Sequence, residues 1–229
     1  MEPPSRMSLE TSYNSETFLL TSSTLIGSFF NKELCAVARR ICMKLREKEF
    51  SMGEFHHLYI NLTTCLEEGT VKPANREVDR YFPWYRYYDV GISQELYDRL
   101  ETRECIPIVT EILEKVLKSQ FSTVEFDENN ISDCVSEAVG QGEDMLMKFK
   151  EKITSKGKAV LYLRYLDNGR YFPLLKVFDS DESLILEEDL PESRTLDNYG
   201  QISLTSKKVT ISPRKNSQSE FYEKIEYFL

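Results

Sequence analysis

A chain of 229 residues can bury a hydrophobic core without disulfide or metal staples, and 41% hydrophobic against 29% charged residues excludes wholesale disorder. A net charge of −9 repels phosphate backbones, which disfavours general nucleic-acid binding and suits a basic partner. The 13 tyrosines and 13 phenylalanines, with one tryptophan, point to half-wet aromatic surfaces, because a tyrosine ring buries area while its hydroxyl stays solvated.

Residues 1–15 are polar, lack the apolar segment of a signal peptide and read as a flexible tail; residues 16–229 read as a single α+β domain with a possible seam near 127. Thr17–Ser22 is a short strand or the entry to a helix. Asn31 is placed to cap a helix with Leu34–Lys48 as its body. Leu34, Cys35, Val37, Ala38, Ile41, Cys42 and Leu45 recur at helical spacing and form its core face. Arg39, Arg40, Lys44, Arg46 and Lys48 form a basic outer face, either solvated or offered to an acidic partner.

Ser51-Met52-Gly53 ends that helix. From Phe55 to Leu66 the residues alternate with period two, the mark of a strand with two unlike faces. Trp84–Ile92, rich in aromatic residues, forms a second strand. The two are expected to pair antiparallel, since no crossover helix lies between them. Residues 67–83 are long for a hairpin loop, and the charged and aromatic residues at their end suggest a functional one.

Ser93 caps a short helix, Gln94–Leu100, and Cys105–Gln120 carries a strong apolar stripe with Pro107 in its first turn. Asp127–Asn130 is a turn, and Ile131–Ile153 a third helix interrupted by Gly140 and Gly142. After Gly157 come strands at Ala159–Leu166, Tyr171–Phe178, Ser183–Leu186, Gln201–Thr205 and Val209–Ser212. Asn168-Gly169 signals a type I′ hairpin, and Pro173 an edge strand or a bulge. Glu220–Leu229 is a short helix or strand. The fold class is therefore α+β, helices packed on a mainly antiparallel sheet.

Five cysteines in no CxxC pair read as reduced, buried thiols of a reducing compartment, so a cytoplasmic location is expected. No run approaches the roughly 20 apolar residues of a membrane span. The sequon at Asn61 falls inside a strand and reads as chance.

No nucleotide-binding, zinc-protease or hydrolase motif occurs, and nothing implies a cofactor or a metal. His56 and His57 are the only histidines, and as strand neighbours they point to opposite faces and cannot share one metal. An enzyme, a small hydrolase or nucleic-acid-processing activity, would have to be built on His57, Asp89 and Glu67. The stronger signal is compositional: Arg80, Trp84, Tyr85, Arg86, Tyr88 and Asp89 combine the residue types enriched at binding hot spots. Residues 179–197 carry eight acidic side chains against the single basic Arg194, and Asp181, Glu182, Glu187 and Glu188 form a second candidate surface that would steer a basic partner.

HLYINLTTCLEEG (57–69), EVDRYFPWYRYYDVGI (77–92) and VTISPRK (209–215) resemble a family of bacterial immunity proteins, the cytosolic antidotes found beside polymorphic toxins. The resemblance covers residues 55–118 best and touches 207–215. It implies a cognate toxin as partner, inhibition by binding, and no reaction. A regulatory module that binds an unrelated protein is the further alternative.

Overall fold

The computed structural model describes residues 13–14, 17–20, 31–53, 55, 57–75, 80–81, 83–215 and 223–229. The expected tail at 1–15 thus lies almost wholly outside the described residues, as do His56 and Phe221. The fold is α+β, with helices and antiparallel-dominated sheets. The chain divides into two compact units, Met1–Gly142 and Glu143–Leu229. The division falls past the expected seam near 127, because the helix that begins there packs within the first unit.

In the first unit, β1 (Tyr13–Asn14) and β2 (Thr17–Leu20) precede α1 (Lys32–Glu47); β3 (His57–Thr63), β4 (Val71–Pro73), β5 (Tyr85–Gly91), α2 (Gln94–Asp98), α3 (Cys105–Phe121) and α4 (Glu128–Gln141) follow. Helix starts are set by side chains that accept otherwise orphaned backbone N–H groups. The Asn31 side chain accepts from Leu34 N at 3.1 Å, Ser93 Oγ from Leu96 N at 3.3 Å, and Asp127 Oδ1 from Asn130 N at 2.9 Å. Asn31 also donates to the Thr102 carbonyl at 2.7 Å, which ties the start of α1 to the approach of α3.

The expected basic outer face of α1 holds at Arg46 and Lys48, which are exposed, and is corrected at two positions. Arg40 and Lys44 are buried, because α4 packs along that side of the helix. The Lys44 ammonium, on a side chain only 4% exposed, lies 2.7 Å from a carboxylate oxygen of Glu47 and 2.7 Å from one of Glu137 on α4. Burial alone would pull its pKa down. The hydrogen bonds to Glu137 and Glu47 outweigh that and hold it above the ordinary value. Of the two cysteines assigned to the core face, Cys42 is buried and Cys35 half-buried.

The sheet order is β1-β2-β3-β5-β4. The central pair is parallel, with His57 opposite Tyr85 and Thr63 opposite Gly91, not antiparallel as the missing helix suggested. No helix is needed because the return stroke is itself a strand. Past the end of β3 the chain runs back as β4, then turns into β5, which slots between the two and pairs β4 antiparallel. The loop at the end of β3 lies so close to β5 that a Cβ on Gly91 would sit 2.0 Å from the Glu67 carbonyl oxygen. β3 is also buried on both faces from Leu58 to Thr63, so its alternation does not mark a wet side.

The second unit contains strands only among its longer described elements: β6 (Met147–Thr154), β7 (Gly157–Tyr165), β8 (Tyr171–Phe178), β9 (Leu184–Asp189), β10 (Gln201–Leu204), β11 (Lys208–Ser212) and β12 (Ile225–Phe228). They form the sheets β6-β7-β8-β9 and β10-β11-β12, antiparallel throughout. Ala159, Leu161, Leu175 and Val177 of one sheet share a core with Ile202, Leu204, Val209 and Ile211 of the other. The unit is a small β-sandwich.

β6 replaces the second half of the expected third helix. Gly142, at φ +54°, ends α4, and the alternating MKFKEKIT beyond it extends as a strand. The 166–169 turn is not type I′ either. Only Gly169 has positive φ (+83°), and its N–H bonds to the Leu166 carbonyl at 2.9 Å, a type I turn closed by a left-handed glycine. Pro173 lies in the central strand β8, not at an edge. Its carbonyl accepts from Leu190 N at 2.9 Å, so its nitrogen also faces β9, at the end of that ladder, where it offers no hydrogen to the opposing Leu190 carbonyl.

Candidate functional site

The parallel register of β3 and β5 sorts the aromatic and charged residues by face. His57, Tyr59 and Asn61 share one face with Tyr85, Tyr87 and Asp89. There the rings form a ladder: His57 to Tyr85 at 4.5 Å between centroids, Tyr85 to Tyr59 at 5.1 Å, and Tyr59 stacked on Tyr87 at 4.5 Å and 20°. At its end Asn61 Nδ2 donates to Asp89 Oδ1 at 2.6 Å. Tyr59 and Asn61 were not picked out as site residues. Their place in the alternating set with His57 was the available signal, usable only with the parallel register.

Arg86 and Tyr88 point to the other face, with Leu58 and Ile60. Tyr88 meets Phe121 of α3 edge-on at 5.5 Å, and burial, opposed by Arg86, pushes its hydroxyl pKa up. The Arg86 guanidinium lies 3.5 Å from the centre of the Phe55 ring and donates to the Tyr85 carbonyl at 3.1 Å. Tyr85, Arg86, Tyr88 and Asp89 are therefore half-buried supports of the sheet. Arg80 and Trp84 differ. Just ahead of β5, Arg80 is exposed, Tyr81 is 83% exposed and Trp84 38%. Their exposure makes this segment the outward part of the patch.

The catalytic alternative does not assemble. His57 is level with Tyr85 and Asp89 with Asn61, four positions along the strand, which is about 13 Å of strand rise. Glu67 is exposed in the loop past the end of β3. Among the described residues no three His, Cys, Asp or Glu side chains cluster as metal ligands. A shallow groove of about 340 Å³ on α3 and the start of α4 is lined by Glu111, Glu114, Lys115, Lys118, Ser119 and Glu128. Its groups are largely engaged: Glu114 bonds Lys118 at 2.6 Å and accepts from Ser132 at 2.7 Å, and Lys115 donates to the Gly69 carbonyl at 2.9 Å.

The second candidate surface lies in the second unit, apart in the chain from the first. Asp179 organises the turn into β9, its Oδ1 accepting from Asp181 N and Ser183 N, each at 2.9 Å. Asp181 and Glu182 stand exposed at the tip, Glu182 at φ +61°. Glu187 pairs with Lys176 on β8 at 3.2 Å, and Asp189 with Arg164 on β7. Glu188 alternates to the inner face beside Tyr227, whose hydroxyl pKa is raised by burial and then by Glu188 and Asp189.

Of the five thiols, Cys42, Cys105 and Cys134 are buried as expected, whereas Cys35 is half-buried and Cys65 exposed. Burial pushes the Cys42 thiol up to about 12 and that of Cys134 to about 11. Asn61 is 1% exposed and spent on Asp89, so the sequon offers no accessible acceptor in the folded chain. No helix among the described residues is long and apolar enough to cross a membrane. No protein-family model matches the chain, and comparisons with curated proteins and with solved structures find no match.

Proposed function

We propose that this chain is a non-enzymatic immunity protein that binds a cognate bacterial toxin in the cytosol and blocks it. The observation that carries the reading is the contrast within one patch. Arg80, Tyr81 and Trp84 are exposed just ahead of β5, while His57, Asp89 and Glu67, the residues of the enzymatic alternative, are spread along and beyond the strand. Exposed Trp, Tyr and Arg suit a hot spot that becomes buried only in a complex. Trp84 leads directly into β5, a strand paired on both sides, which lowers the ordering cost of association. The net charge of −9 favours a basic toxin and a fast, steered encounter.

Titration calorimetry of the toxin against wild-type protein and Trp84→Ala tests this. Truncation is expected to weaken binding by about 2 kcal/mol or more with the melting transition unmoved. Unchanged affinity, or loss of the fold along with the affinity, would overturn the assignment of this patch.

A further inference from the structure

We infer that β9 is a docking edge for an extended, basic segment of a partner protein, which joins the β6-β7-β8-β9 sheet as a fifth strand. β9 pairs with β8 alone. The Leu190 N–H to Pro173 carbonyl bond fixes the phase of that ladder: Leu190, Glu188 and Leu186 turn their backbone groups toward β8, so Glu187 and Asp189 turn theirs away. Those outward N–H and C=O groups have no partner among the described residues, and they recur every second residue, the repeat an added strand requires.

The chemistry of the edge selects the occupant. Leu184 and Ile185, 49% and 47% exposed, give an incoming strand apolar area to cover at one end. Asp181, Glu182 and Glu188 have no ion-pair partner among the described residues, so the edge carries uncompensated negative charge. An acidic edge repels acidic strands and accepts one that alternates lysine or arginine with apolar residues. A second copy of this chain fits less well. Pairing β9 with the β9 of a second copy would set the same acidic residues against each other. The inference stands apart from the toxin reading, and its test uses no toxin.

The probe is a short peptide alternating lysine and valine, compared with an equally charged peptide alternating lysine and proline, which cannot form a strand. Binding to the full chain is followed by fluorescence anisotropy, and the edge by amide hydrogen exchange. The Lys-Val peptide is expected to bind and to protect the amides of Glu187 and Asp189; the Lys-Pro peptide is not. Glu187→Pro removes an outward donor without touching the β8 ladder, and should weaken binding by about tenfold or more. Glu188→Lys, which leaves every backbone group in place, should weaken it several-fold and flatten its salt dependence. Equal binding of the two peptides, full affinity in Glu187→Pro with Glu188→Lys also unaffected, or protection of these amides by self-association without peptide would overturn the inference.

Discussion

Replacing Lys44 by methionine removes the charge that joins α1 to α4 and keeps most of the buried stem. The ammonium makes two bonds of 2.7 Å, to Glu47 and to Glu137, on side chains 22% and 35% exposed. A hydrogen bond to a charged group contributes about 1.5–3 kcal/mol. Both carboxylates regain water when the lysine is lost, which discounts the sum to about 2–3 kcal/mol of stability. Urea unfolding followed by the helical circular dichroism signal measures it, and a double-mutant cycle with Glu137→Gln should return most of the loss as coupling. The pH dependence has a definite sign. The folded pKa of Lys44 lies above its ordinary value of 10.5, so the stabilisation is complete below that value and is lost as pH rises through the higher folded pKa. The gap between wild type and Lys44→Met should therefore hold through neutral pH and close only in strong alkali. A variant as stable as wild type at neutral pH would refute the argument, and so would a gap that closes near neutrality.

Gly157 has φ +135°, and a Cβ there would lie 2.1 Å from the Phe178 carbonyl oxygen, so Gly157→Ala should cost about 3 kcal/mol or more and be seen as a lowered melting midpoint. Gly91→Ala meets the Glu67 carbonyl at 2.0 Å and should likewise destabilise the β3–β5 region, with faster amide exchange there. Under native conditions a thiol reagent should label the exposed Cys65 readily and the buried Cys42 and Cys134 only on unfolding, as read by mass spectrometry. If acidic residues steer a basic toxin, the association rate should fall steeply with added salt, and a flat response would remove that idea.

Local signals were legible in the sequence where one residue type sets one geometry. Asn31 and Ser93 begin helices because their side chains accept backbone N–H groups, and the strands after Gly157 follow their alternation; Asp127 caps a helix in the same way, although 127–130 reads as a turn in the sequence and the helix already runs from Glu128. What was lost depends on contacts distant in the chain. Arg40 and Lys44 read as solvated until α4, some ninety residues on, covers them. The parallel pairing of β3 and β5 depends on β4, three residues with no pattern of their own. β6 was absorbed into a helix because lysine and glutamate suit helices, and only Gly142 marks the break. In the candidate site the same limit applies. Composition singled out the stretch from Arg80 to Asp89, but the pleat sends Arg86 and Tyr88 one way and Tyr85 and Asp89 the other, and leaves Trp84 and Tyr81 exposed.

The most direct measurement is co-expression of this chain with the product of the neighbouring gene, scored by growth and by co-purification. The account predicts that the neighbour is toxic alone, that this chain restores growth in a stable one-to-one complex, and that Trp84→Ala loses both effects while remaining folded. A harmless neighbour that forms no complex would contradict it, and so would rescue of growth without any complex, which is the behaviour of an enzyme.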